Sequence, residues 1–358
     1  MKHLFPNECN ILFVLLLFLL GISFLGQYSA FGGEFSGPVQ RHTIRIVAGL
    51  VLMCGIYLVD FKFWSNFAYV FYAFVFISLI VVDLLGTIKL GAQRWIDLYF
   101  FTFQPSELMK LALILTLARY YSLLSPVEIS SFKSHIPPIL LSIVPAILIC
   151  KQPDLGTALL LICVAVGMIF LAGFSLKIFA IAMGMCFGLC PFGWFFLHDY
   201  QKNRILPFLD PDRDPLGMGY HILQSKIAIG SGNIWGRGFM QGTQSKLDFL
   251  PEKNTDFIFT TIAEEGGFVG AMLVFCLLLS LCSYFFWITL ESRSRFAKLT
   301  CCGLGMLLFL HVFVNIAMTI GVLPVVGVPL PFLSYGGSSM ITFMISCGLV
   351  MSALKYRR

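Results

Sequence analysis

A chain of 358 residues that is 58% hydrophobic and 12% charged lies well outside the soluble range, where roughly 45–50% apolar and about 25% charged is usual. A mean hydropathy of +0.88, with 37 Phe and Leu-rich runs along almost the whole length, excludes a water-soluble globule. A net charge of +6 is too weakly clustered for a nucleic-acid surface, and most of the 11 cysteines sit in or beside apolar runs without CxxC or Cys/His metal spacing.

The apolar runs, taken in chain order, fit ten helices. About 20 residues at 1.5 Å rise cross a hydrocarbon core of roughly 30 Å, and lipid forbids unpaired backbone, so each run reads as a membrane span. The spans are 11–31, 43–60, 67–88, 105–122, 136–151, 156–173, 176–197, 260–290, 298–323 and 332–354. The first is too long for a signal peptide, has no small-residue cleavage site and is followed by further spans, so it reads as retained. The fold class is an all-α integral membrane protein of about ten transmembrane helices, a single polytopic membrane domain over 1–358. Ten spans put both termini on one side, which carries Lys2, Lys62, Arg119, Lys133, Lys177, Arg293, Arg295, Lys298, Lys355, Arg357 and Arg358. The short loops opposite carry only Arg41, Arg45, Lys89, Arg94 and Lys151, and the positive-inside rule then places the termini in the cytoplasm.

Residues 198–259, between the seventh and eighth spans, form one long extracytoplasmic loop whose acidic and basic residues balance. Within it, 218–229 puts Met218, Ile222 and Ile229 roughly on one face, as in a short helix lying on the membrane surface. Gly230, Gly232, Gly236 and Gly238 then break the chain into turns. No strand precedes them, which argues against a dinucleotide site.

Ionisable groups within spans are costly and usually mark function or a buried pair. Here Asp83, Glu107, Lys110, Asp154, Glu264 and Glu265 gather at the outer ends of spans, with Arg45, Arg94 and Asp256 at the same boundary. That depth suggests a charged cavity open to the outer leaflet rather than a relay across the membrane. Glu107 and Lys110, three apart, share a helix face and can pair, either structurally or to tune a substrate cavity. His311 and Asn315, four apart in the ninth span, read as interhelical hydrogen-bonding groups. Asp256 stands where the long loop re-enters the membrane, and is either a partly desolvated general base or a helix N-terminal carboxylate stabilised by the macrodipole.

Over nearly its full length the chain resembles the shape, elongation, division and sporulation (SEDS) family of bacterial membrane proteins. The resemblance rests on Gly91-Ala-Gln-Arg-Trp-Ile-Asp97, Gln104-Pro-Ser-Glu-Leu-Met-Lys110, Gln152-Pro-Asp-Leu-Gly-Thr157, Gly242-Thr-Gln-Ser245, Leu250-Pro-Glu-Lys-Asn-Thr-Asp-Phe257, Ala263-Glu-Glu265 and Leu330-Pro-Phe-Leu-Ser-Tyr-Gly-Gly-Ser338. The GAQRW, GTQS and Leu323–Pro331 forms look like the RodA-like elongation branch more than the FtsW-like division branch. The resemblance implies ten spans and a peptidoglycan glycosyltransferase that polymerises lipid II outside the cytoplasmic membrane, with a class B penicillin-binding protein as partner. The aspartate of the family's PExHTDF motif, regarded as catalytic, falls on Asp256, whereas the motif's His is replaced by Asn254. Family residues of the central cavity carry over to Arg45, Glu107, Lys110 and Asp154, and Arg94 and Arg204 also match the pattern.

On this reading Asp256 takes the proton from the GlcNAc 4-hydroxyl of an incoming lipid II, and that oxygen attacks the anomeric carbon of the undecaprenyl-diphosphate-linked glycan with inversion. Arg45, Arg94, Lys110 and Arg204 are the candidate cations for the leaving diphosphate. No metal site is read from the sequence, although a divalent cation, Mg²⁺ or Mn²⁺, stays open as an aid at the diphosphate. The alternatives are a flippase for lipid-linked precursor, which calls for polar groups along both halves of a path, and a non-catalytic scaffold for the penicillin-binding protein.

Overall fold

The computed structural model describes residues 7–89, 92–97, 102–196, 199–210, 214, 217–246 and 252–355. In chain order they form α1 (Asn7–Ala30), α2 (Gly37–Leu58), α3 (Phe61–Leu85), the strands β1 (Thr87–Lys89), β2 (Ala92–Asp97) and β3 (Thr102–Phe103), α4 (Pro105–Leu123), α5 (Pro126–Ser130), α6 (Ile136–Lys151), α7 (Leu155–Leu171), α8 (Leu176–Gly193), α9 (Asp199–Leu209), α10 (Met218–Ser231), α11 (Thr243–Lys246), α12 (Ile258–Glu291), α13 (Arg295–Thr319) and α14 (Gly337–Lys355). Each of the ten apolar runs falls on a helix. By length and composition α1, α2, α3, α6 with the turn before it, α12, α13 and α14 can cross a membrane. Of the others, α7 is apolar but only 17 residues long, and α4 carries Glu107, Lys110 and Arg119.

The chain is therefore an all-α, multi-pass membrane protein with one addition, a small antiparallel sheet in the order β1-β2-β3 between α3 and α4. Its Thr, Ile and Trp residues are good strand formers in a stretch too polar to extend either helix.

Two compact units make up the fold. The first comprises the residues through Leu58, Arg204–Phe285 and Leu308–Lys355. In it α14 lies along α2, and glycines let the backbones approach: a Cβ on Gly348 would meet the Met53 carbonyl oxygen at 2.8 Å, and one on Gly49 would meet Met344 at 2.7 Å. Close small-residue contacts of this kind hold helices together where lipid offers no hydrophobic drive.

The long connection between α8 and α12 is more helical than expected, with α9, α10 and α11 inside it. The helix over Met218–Ser231 forms, but the face carrying Met218 and Ile222 lies against protein, not on a membrane surface. Ile222 packs with Phe257, Met318 and Val325, and Met218 sits at their edge. On the same face the Ser225 hydroxyl donates to the Thr319 carbonyl at 2.7 Å and pairs with Thr260 Oγ1 at 2.8 Å, so its buried polar group is satisfied by protein.

Beyond α10 the chain meets a break in α12. Gly267 stands at φ +64, outside helical geometry, and interrupts the ladder. The segment 233–238 repairs the gap from both sides. Arg237 and Gly238 donate their amides to the carbonyls of Glu264 and Glu265, while the amides of Phe268 and Val269 donate to the carbonyls of Asn233 and Ile234.

The second unit comprises Val59–Asn203 and Phe286–Leu307. Its centre is α4, buried on nearly every side from Pro105 to Tyr121 and contacted by α3, α6 and α7. A helix with no solvated stripe is what such a position requires. Gly303 of α13 lets Ile114 and Met168 approach closely in the same unit.

Candidate functional site

Residues 252–257 form a run of turns immediately ahead of α12. Phe257 anchors the run: its ring is buried in the cluster of Ile222, Met318 and Val325. Asp256, one residue earlier, is half-buried. The carbonyls of this turn are held from three other elements. Gln27 Nε2 on α1 donates to the Asn254 carbonyl at 2.9 Å, the Tyr335 amide donates to the same oxygen at 2.8 Å, and Asn315 Nδ2 on α13 donates to the Asp256 carbonyl at 2.8 Å.

Both amide side chains also reach the segment between α13 and α14: Gln27 to the Leu333 carbonyl at 2.8 Å and Asn315 to the Val328 carbonyl at 2.7 Å. That segment passes directly beside the carboxylate. Gly327 adopts φ +75, and a Cβ there would stand 3.6 Å from Asp256 Oδ2, so glycine both permits the turn and leaves that side of the carboxylate uncovered. Phe332, on the same segment, is buried at φ +66, a conformation a bulky side chain adopts only under constraint from its surroundings.

Two of the expected cations join the same segment. Arg204 Nη1 donates to the Val326 carbonyl at 2.8 Å. The Arg45 guanidinium lies over the Tyr335 ring, 4.7 Å from its centroid, a cation–π geometry. Tyr335 also accepts from Arg41 Nε at 3.3 Å and meets Phe31 edge to face. Nearby on α10, the His221 imidazole faces the Phe257 ring at 6.4 Å. Desolvation lowers its pKa from the ordinary value, against the pull of Glu252 and Asp214.

The other expected residues form two pairs in the second unit, Arg94 with Asp154 and Lys110 with Glu107. Asp154 caps α7, accepting from the Thr157 amide at 3.3 Å, and takes a further bond from Gln104 Nε2 at 3.0 Å. Arg94 on β2 grips the turn before α7 by three contacts: Nε to the Gln152 carbonyl at 2.8 Å, Nη2 to the Pro153 carbonyl, and Nη1 to Asp154 at 3.8 Å. Within α4, Lys110 Nζ donates to Glu107 Oε1 at 2.7 Å, and both side chains are almost wholly buried.

The expected residues thus divide between the units: Arg45, Arg204 and Asp256 lie around the 326–335 segment in the first, and in the second Arg94 meets Asp154 at the start of α7 while Glu107 pairs with Lys110 within α4. Asp83 is exposed on α3. Glu264 is buried and accepts from the Gln244 amide and the Thr243 hydroxyl, which fastens α11 to α12, while Glu265 accepts from Ser29, which ties α12 to α1. Gln27, Asn315 and Tyr335 were not assigned to a site from sequence. For Gln27 and Asn315 the available signal is the cost of an amide inside an otherwise apolar span, and Tyr335 lies within the Leu330–Ser338 motif. No group of three or more His, Cys, Asp or Glu among the described residues could hold a metal ion.

Comparison with known proteins places this geometry in a family. The family model for FtsW, RodA and SpoVE, described as cell cycle protein, matches residues 5–358. The peptidoglycan glycosyltransferase MrdB of Escherichia coli K12 is 42% identical over 357 residues, 99% of this chain and 95% of that protein. The peptidoglycan glycosyltransferase RodA of Treponema pallidum is 34% identical, covering 96% of each chain. Among solved structures, a chain from work on the structural coordination of polymerization and crosslinking by a peptidoglycan synthase complex superposes with a TM-score of 0.84 at 29% identity, covering 97% of both chains. The rod shape determining protein RodA of Thermus thermophilus superposes with a TM-score of 0.73 at 25% identity, over 99% of this chain and 98% of that one. With a family match over residues 5–358 and a relative 42% identical over almost the whole length, the chain belongs to the FtsW, RodA and SpoVE family of cell cycle proteins.

Proposed function

We propose that this chain is a peptidoglycan glycosyltransferase of the cell-elongation machinery, polymerising lipid II with Asp256 as general base. The observation that carries the assignment of the base is the anchoring of its turn: a half-buried carboxylate beside Gly327, on a backbone held by Gln27, Tyr335 and Asn315. Such preorganisation is what a proton acceptor needs, because a positioned base contributes about 10²- to 10⁴-fold to rate.

In the reaction, the GlcNAc 4-hydroxyl of lipid II gives its proton to Asp256 and its oxygen bonds to the anomeric carbon of the lipid-linked glycan. The bond from that carbon to the diphosphate breaks, the diphosphate leaves with the electron pair, and the α-linkage becomes β-1,4. Arg45 and Arg204 offer positive charge to the leaving group in the unit that carries the base. Lys110 and Arg94 are engaged in the second unit, with Glu107 and with the 152–154 turn respectively. No step is assigned to a metal ion.

The chain lies in the bacterial cytoplasmic membrane with both termini in the cytoplasm and the Asp256 turn outside, a topology supported by the eleven-to-five excess of Lys and Arg on the terminal side. Its partner is a class B penicillin-binding protein; the similarity to a chain of a peptidoglycan synthase complex supports that pairing. The test is polymerisation of labelled lipid II by the purified chain with its cognate penicillin-binding protein, transpeptidation blocked. Wild type should form glycan chains and an equally folded, equally complexed Asp256→Asn variant none. Full polymerisation by that variant would remove Asp256 from the role of base.

A further inference from the structure

We infer that Gln27 and Asn315 are a matched pair of positioning residues for Asp256, an inference that rests on the assignment of Asp256 as the base. The two amides come from helices far apart in sequence, α1 and α13, yet do the same thing. Each donates one hydrogen to a carbonyl of the 252–257 turn and the other to a carbonyl of the 326–335 segment. The bonded carbonyls of the turn, Asn254 and Asp256, bracket Thr255, so the backbone leading into the aspartate is fixed at two points. Both amide side chains are fully buried.

The orientation of the amides is the second observation. Gln27 Oε1 and Asn315 Oδ1 are buried without a hydrogen-bond partner among the described residues, whereas all four amide hydrogens are used. An amide placed merely to fill space would turn to satisfy its oxygen. These forgo the acceptor to keep two donors on two carbonyls, which is the arrangement that joins two loops. Carboxylates of the same size would set oxygen against oxygen at both ends.

A base displaced by about 1 Å loses roughly a hundredfold in rate while substrate binding is largely untouched. The pair should therefore act on turnover and not on affinity. The experiment measures kcat and KM for lipid II in the complex with the penicillin-binding protein, for Gln27→Leu, Asn315→Leu and Asn315→Asp beside Asp256→Asn. Met53→Ala, a buried change at the α2–α14 contact, serves as a destabilised packing control. Expected are a kcat lowered tenfold or more with KM within about twofold for both leucine variants, a loss at least as large for Asn315→Asp despite its equal size, and wild-type kcat for the control. Should Asn315→Leu fail to accumulate, Asn315→Ser, which keeps a single donor, is read on the same criteria. The inference falls if the Gln27 and Asn315 variants turn over as the control does, or if KM rises with kcat intact. Retained activity in Asp256→Asn would instead overturn the assignment of the base.

Discussion

The buried pair in α4 offers the sharpest quantitative expectation. Lys110 and Glu107 are almost wholly inaccessible and 2.7 Å apart, and Glu107 Oε2 is buried without a partner among the described residues. At an effective dielectric near 20 their gross attraction is about 6 kcal/mol, most of it offset by desolvation of the two charges. Lys110→Met keeps the bulk, removes the cation and leaves the carboxylate buried without its partner in the first turn of a helix packed on nearly every side. The expected cost is about 3 to 5 kcal/mol, against a total stability of about 5 to 15 kcal/mol for a typical domain. The double substitution Glu107→Gln with Lys110→Met restores neutrality and should recover most of that loss, giving a coupling energy of at least about 2 kcal/mol. Reversible unfolding in mixed detergent micelles, followed by intrinsic tryptophan fluorescence, measures all four corners of the cycle. Lys110→Met within about 0.5 kcal/mol of wild type, or a double variant no more stable than the worse single, would refute the account of Lys110 as the cation that makes the buried Glu107 carboxylate tolerable.

Further expectations concern the backbone and the loops. Gly267→Ala should abolish accumulation of folded protein, because a Cβ there collides with Gly236 N and Ile234 O, whereas Gly270→Ala, whose nearest neighbour is Ile262 O at 3.8 Å, should accumulate normally by fluorescence-detected size exclusion. Arg94→Lys keeps the charge but serves one of three acceptors, and should lower the stability measured by denaturation by about 1 to 2 kcal/mol. An unchanged midpoint would mean that the clamp on the 152–154 turn is not energetic. His221 has its pKa lowered from 6.5 by desolvation, so on acidification the unfolded chain takes up the proton before the folded one does, and stability falls as pH drops below about 6.5. His221→Gln should flatten that acid decline in thermal unfolding between pH 7 and 5; a parallel decline would place the sensitivity elsewhere.

What could be read from sequence follows from what the solvent demands. Lipid requires a helix wherever about 20 apolar residues occur together, so all ten runs were identifiable, and the 107–110 pair followed from helical spacing alone. The turn bearing Asp256 was recognisable by its motif. Its supports were not: Gln27 lies 227 residues from Asn254 and 306 from Leu333, and no local pattern records a contact made across such a separation. The same limit hid the true partner of the Met218 helix. Its apolar face is real, but periodicity states only that a face is buried, not whether lipid or protein buries it. The sheet after α3 escaped because its strands are two to six residues long, below the length at which alternation is distinctive.

The interruption of α12 at Gly267 alters what the connecting chain from α10 amounts to. Two carbonyls and two amides freed by the break would, next to hydrocarbon, each cost several kcal/mol if left bare. Residues 233–238 supply a counterpart for all four. That stretch is therefore a detached piece of the helix's own hydrogen-bond ladder rather than a tether outside it, although it lies about thirty residues away along the chain. Inserting or deleting residues there should behave like a lesion inside a membrane helix, loosening the aspartate-bearing turn that ends ten residues before the break, whereas the α5 turn, outside this ladder, should accept an epitope tag.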